Sequence, residues 1–386
     1  MTYRRAAIPA LVGGVLLTAL LWWVGASVHA LHLPGATNVI GGPATAELEH
    51  WLTPWSYDPP SSAQPGAEAS GGIEGADWMD GAYFAMYTTG LQIRFGAVFA
   101  FFVFGAILLV RRLPPVRGRR TATLLAVWAW GLVAGTLAVT VSAPWLIAAG
   151  GHGSFRFLAR LAGVISSGRQ VLVVTALVAA VVTVLAARVA VDGSGPLPPE
   201  VVPVRAARLA ATVGTAVIAL SLVVLSYQPV AAAVQQVSPN VGLFAEPGDL
   251  LRQWLLLGAW SGPAGTPLGD WLLYRAADVL LLAVVWWALR RLPGLLTRAT
   301  VPAMAVGAVC ATVLGLLASQ LLRMATDGTG LRWGLLHMSA ELGGGVPAAL
   351  TWGLVAGAAA AVTLRMAGGR TKTADANAPV QDPAQG

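Results

Sequence analysis

The sequence predicts an all-α protein: a polytopic membrane helix bundle of eight spans, built as two parallel four-helix repeats related by a pseudo-two-fold axis along the membrane normal. Three observations lead there: the composition, the spacing of the apolar runs, and an ordered set of internal matches. Of 386 residues, 56% are hydrophobic and only 11% charged, with a mean hydropathy of +0.70. That leaves too little polar surface to wrap a soluble core, and apolar stretches of spanning length recur from one end to the other. The lipid bilayer is therefore the first expected partner. A net charge of +7 and a pI near 10.3 would point to nucleic acid in a soluble protein, but no basic stripe with interleaved aromatics is present, so no nucleic-acid partner is expected.

Windows of about 19 residues place the spans near 6–28, 89–110, 122–143, 170–191, 207–228, 275–290, 300–322 and 346–365. The first could be mistaken for a signal peptide, since Arg4 and Arg5 precede it and Val28-His29-Ala30 loosely resembles a cleavage site. Its length and its later counterpart argue for a span instead. The segments between spans carry their basic residues unevenly. Placing the N-terminus, 111–120, 188–208, 290–298 and the C-terminal tail on one side collects 16 of the 24 Arg and Lys, against 8 opposite. Basic loops stay in the cytoplasm, which predicts a plasma-membrane protein with both termini inside and the 29–88 and 229–274 loops outside. The 29–88 loop agrees, with several Asp and Glu and no Lys or Arg.

The matches begin with Arg5-Ala6-Ala7 and Arg205-Ala206-Ala207, 200 residues apart. Asn38-Val39 follows with Asn240-Val241, Trp51 with Trp254, Asp77-Trp78 with Asp270-Trp271, Arg94 with Arg275, and Arg111-Arg112-Leu113-Pro114 with Arg290-Arg291-Leu292-Pro293. The last pair, Ala187-Arg188 and Leu364-Arg365, lies 177 apart. Chance matches would not keep their order. The units are 1–198 and 199–386, and the 367–386 tail is expected to be disordered. Four spans per unit leave both copies in one orientation. The string Trp-Gly-Leu-Val-Ala-Gly, at 130–135 and 352–357, falls on non-equivalent spans and is expected only to let helices approach closely.

Outside the spans, 59–75 has linker composition, while 44–55, 155–166, 247–260 and 331–342 read as short amphipathic helices suited to the interface or to packing on the bundle. Chemistry-bearing groups are few. His50 beside Glu47, Glu49 and Trp51 is the one cluster resembling acid–base equipment, with Trp254 standing opposite Trp51 in the second unit. Asp58, Asp77 and Asp80 are the remaining carboxylates that a membrane enzyme acting on lipid-linked substrates would draw on. His337 and Glu341 share a helix face but lack a third ligand, and His29 and His32 lack the axial partner a haem needs, so neither metal nor cofactor is expected. Cys310 is the sole cysteine and reads as a small core residue.

Ionisable groups inside the spans discriminate best, because charge in hydrocarbon is costly. Arg94 falls near the outer interface, where it is expected to snorkel. Arg275 and Asp278, spaced to face each other on one helix, should form the deepest charged site, as a structural ion pair or a ligand contact. Three functions follow in order. A transporter- or channel-like component leads, since parallel duplication commonly builds a pathway between repeats. A non-catalytic accessory or scaffold subunit of a cell-envelope complex, with membrane-protein partners, comes next. The membrane enzyme comes last.

Overall fold

The computed structural model describes residues 3–31, 33, 35, 41–57, 76–115, 119–149, 157–191, 203–237, 247–263, 267–327 and 344–376. Eight helices are long and apolar enough to cross a membrane, and the chain is an integral, multi-pass membrane protein. The helices are Tyr3–Ala26 (span 1), Ala76–Arg112 (span 2), Arg120–Ala149 (span 3), Arg169–Val191 (span 4), Val204–Ala219 (span 5), Leu268–Leu295 (span 6), Val301–Asp327 (span 7) and Val346–Ala376 (span 8). Span 5 runs on into a π-helical turn, Leu220–Leu225. Helix is the form these sequences must take, because hydrocarbon offers no partner to an unbonded backbone group. Buried hydroxyls follow the same rule: Thr136, Thr183 and Thr312 donate to the carbonyls of Leu132, Ala179 and Ala308 at 2.9, 2.7 and 2.8 Å.

Several ends differ from the sequence expectation. Span 2 starts at Ala76 and span 6 at Leu268, inside the expected outer loops. At about 1.5 Å per residue, the 37 residues of span 2 reach about 55 Å, well beyond a core about 30 Å thick. A helix satisfies its own backbone and need not stop at the bilayer surface. Span 8 likewise continues to Ala376, past the expected end at 365. Residues 377–386 lie outside the described residues. The short helices Gly42–Leu52, Phe157–Ser166 and Gly248–Leu255 occupy three of the four expected segments, and 331–342 lies outside the described residues. The third stops five residues before the expected Trp260 because Leu256 turns extended and the Gly258 amide donates to Ser226 Oγ at 3.2 Å. An additional helix, Gln228–Gln235, follows span 5.

Span 1 packs on spans 2 and 4, span 2 on span 3, and span 3 on span 4. Span 5 packs on spans 6 and 8, span 6 on span 7, and span 7 on span 8. The two sets meet mainly through spans 3 and 7, whose apolar windows are 67% and 72% buried against 33% for spans 1 and 5 and 22% for span 6. Spans 3 and 7 are thus the centre. One core cluster runs through both sets. Two satellites lie at the end that carries the Arg-Arg-Leu-Pro turns, hereafter the basic end: Ala6, Val110 and Ala187 form one, and Ala206, Leu296, Ala303 and Leu364 belong to the other.

Close approach depends on glycine. A Cβ on Gly353 would stand 2.6 Å from the Val309 Cα, and one on Gly357 2.5 Å from the Ala305 Cα. Both obstacles are backbone, so span 8 touches span 7 only because these side chains are absent. Gly131 and Gly135 play the matching part on span 3, against Ala176 and Leu172 of span 4. Gly168 and Gly345, immediately before spans 4 and 8, have φ of +70° and +81°, the left-handed turn that glycine adopts without penalty.

Candidate functional site

Asp278 lies in span 6, its side chain 12% exposed. Arg275, one turn earlier, places Nη1 2.7 Å from Asp278 Oδ2, and Arg323 of span 7 places Nη2 2.7 Å from Oδ1. Arg323 escaped the sequence reading because span 7 was expected to end at 322. The helix continues one turn further and carries the guanidinium inward. Trp260 lies under the Arg275 guanidinium at 5.1 Å from its ring centroid, and Tyr274 under that of Arg323 at 5.8 Å. Two cations against one carboxylate give the cluster a positive excess, and neither arginine's Nε has an acceptor among the described residues.

Arg94 corrects the snorkelling expectation. It is 1% exposed and ranks among the largest fully buried side chains, more closely enclosed by protein than Asp278. Its Nε donates to Ser142 Oγ of span 3 at 2.9 Å and its Nη1 to the Pro54 carbonyl. Trp55 lies 5.6 Å below the guanidinium, and the Trp55 indole donates to the Gly168 carbonyl at 3.0 Å. Position along a helix gave the height of Arg94 but not the face it occupies. That face is covered by the turn Thr53–Trp55, which tucks against span 1 so closely that a Cβ on Gly25 would meet the Trp55 carbonyl. One sequence signal was available: Trp55-Ser56 recurs as Trp260-Ser261, and each tryptophan sits under the arginine of the following span.

The remaining candidates do not converge. On helix Gly42–Leu52, Glu47 and His50 are exposed while Trp51 is buried, which turns the indole away from the other two. Glu49 is half-buried on the same helix, and Trp254 packs half-buried against the core. His32, Asp58, His337 and Glu341 lie outside the described residues, as do the side chains of Asp77 and Asp80.

A cavity of about 250 Å³ opens at the basic end between the two sets of helices. Span 2 and the residue after it contribute Leu109, Arg112 and Leu113, and span 6 contributes Ala288, Arg291 and Leu292. Each of the first three stands 179 residues before one of the second three, which is the offset of the two Arg-Arg-Leu-Pro motifs. Leu125 of span 3 and Cys310 and Leu314 of span 7 line the interior. Across this junction the Thr297 amide donates to the Arg112 carbonyl at 2.9 Å, and Cys310 Sγ donates to the Ala126 carbonyl at 3.3 Å. No known protein family matches this chain. No curated protein and no solved structure matches it either. Its chemistry rests on its own residues.

Proposed function

We propose that the protein is a transporter-like component of the plasma membrane, made of two parallel copies of a four-span unit, 1–198 and 199–386, with both termini cytoplasmic and the ligand vestibule in the cavity between the copies. The observation that carries this reading is the cavity itself, walled by corresponding residues of spans 2 and 6, where a two-fold axis between parallel repeats would run. The like pairing of helices within each set, the Arg94–Trp55 and Arg275–Trp260 stacks, and the left-handed Gly168 and Gly345 support the duplication. Asp278 and its two arginines serve in this reading as a clamp between the far ends of spans 6 and 7 rather than as part of the pathway.

The reading is tested with single cysteines at Leu125 and Leu314 in a Cys310→Ala background. A small charged thiol reagent should label both in inside-out vesicles. Failure to label either from either face, in vesicles and also in detergent after bound lipid has been stripped, would refute a vestibule. The scaffold reading has one observation of its own: Arg94, a costly buried charge, is spent on bonds to Ser142 and Pro54. A stoichiometric partner retained in mild detergent would favour it.

A further inference from the structure

The cavity at the basic end combines two features that the placement of cytoplasmic arginines does not by itself produce. Its walls are apolar side chains, and its rim holds Arg112 from one copy and Arg291 from the other. Arg291 is exposed, with its guanidinium stacked on Trp287 at 4.6 Å from the ring centroid, which holds the fork at the mouth and leaves its N–H edges outward. The sequence has no Asp or Glu between Asp80 and Asp192 or between Asp278 and Asp327. Every residue lining the cavity falls in those two stretches, so no carboxylate of the lining can neutralise the rim. A volume of about 250 Å³ is also below the range of about 300–1,000 Å³ that encloses a whole drug-sized ligand. It suits a hydrocarbon segment whose polar end stays outside.

We infer that this cavity binds an acidic phospholipid of the cytoplasmic leaflet, one acyl chain between the two copies and the phosphate held by Arg112 and Arg291. The inference rests on the cavity being the vestibule proposed above and adds the class of ligand. A guanidinium fork matches a phosphate in two-point geometry, and the headgroup needs no desolvation at the rim. A zwitterionic lipid would bring the same chain with a cation that the two arginines repel.

The test is native mass spectrometry of the full chain, equilibrated in detergent with equal amounts of phosphatidylglycerol and phosphatidylcholine of identical chains. The wild type should retain phosphatidylglycerol with a preference of about tenfold or more, the scale of two basic side chains acting on one lipid. Arg112→Gln/Arg291→Gln should bring the preference near parity, while Arg205→Gln/Arg208→Gln, at the same end but outside the cavity, should keep it. Ala122→Phe, which fills the cavity and leaves the rim intact, should lose retained lipid of both kinds and keeps the test valid if the double arginine variant does not fold. Equal retention of the two lipids by the wild type, or equal loss of preference in the Arg205/Arg208 variant, overturns the inference. Labelling at Leu125→Cys and Leu314→Cys, carried out in detergent after bound lipid has been stripped, separates the two failures: if both label while lipid preference is absent, the vestibule stands and its ligand is another; if neither labels in the stripped protein, both fall.

Discussion

Replacing Asp278 with Asn should cost far more than replacing either arginine that meets it. The carboxylate accepts from Arg275 and Arg323 at 2.7 Å each, and the three side chains are 12%, 24% and 32% exposed. Asn keeps the size and removes the charge, leaving two guanidiniums around a neutral amide. Removing one partner of a buried pair costs about 3–5 kcal/mol, and the partial exposure of both arginines places this case near the lower figure, about 3 kcal/mol. Arg275→Gln or Arg323→Gln leaves one arginine facing Asp278 as a neutral pair. The loss is then about 1 kcal/mol, in the range measured for polar contacts between spans. The difference of about 2 kcal/mol is roughly a 30-fold change in the folding equilibrium. Unfolding in mixed micelles by titration with a denaturing detergent, followed by tryptophan fluorescence, reads it directly. The triple variant Arg275→Gln/Asp278→Asn/Arg323→Gln should recover most of the loss. If Asp278→Asn is no less stable than the single arginine variants, or the triple variant is as poor as Asp278→Asn, the charge argument is wrong.

Three further outcomes are expected. Arg94→Leu removes the donors to Ser142 Oγ and the Pro54 carbonyl and should cost about 2–4 kcal/mol, with faster amide exchange across 41–57 seen by mass spectrometry. Gly357→Leu drives a side chain into the Ala305 backbone and should sharply lower the yield of monodisperse protein, whereas Gly163→Ala, with no neighbour within 4 Å, should leave it unchanged. In a Cys310→Ala background, an impermeant thiol reagent applied to intact cells should label Ser62→Cys and spare Thr373→Cys; the reverse pattern overturns the proposed orientation.

The eight helices were legible because a spanning helix is a local decision: an apolar run that bonds its own backbone needs no knowledge of its neighbours. Their outer ends were not, since nothing forces a helix to stop where the hydrocarbon does, and Ala76 and Asp327 lie past the points where hydropathy falls. Arg275 and Asp278 could be paired from spacing alone because both sit on one helix. Arg323 could not, because its approach depends on how span 7 packs against span 6. Arg94 fails for the same reason: its acceptors, Pro54 and Ser142, are 40 and 48 residues away, and only tertiary structure brings them over that face. The cavity is less legible still. It is a shape left between four helices, and no residue lining it is unusual for a membrane protein.

The single thiol gives the protein a reporter of its own motion. Cys310 is 2% exposed, at the contact of spans 3 and 7, and bonded to the Ala126 carbonyl. Although Cys310 borders the cavity, almost none of it is exposed and its thiol is tied to the Ala126 carbonyl, so alkylation is slow while that contact holds. Modification of the unaltered chain is therefore accelerated when spans 3 and 7 part, and when reclosing is fast the added rate is the product of the opening equilibrium and the intrinsic reactivity of a free thiol. Any ligand that wedges spans 3 and 7 apart or draws them together changes that rate, so compounds can be screened on the native sequence by following one mass increment with time.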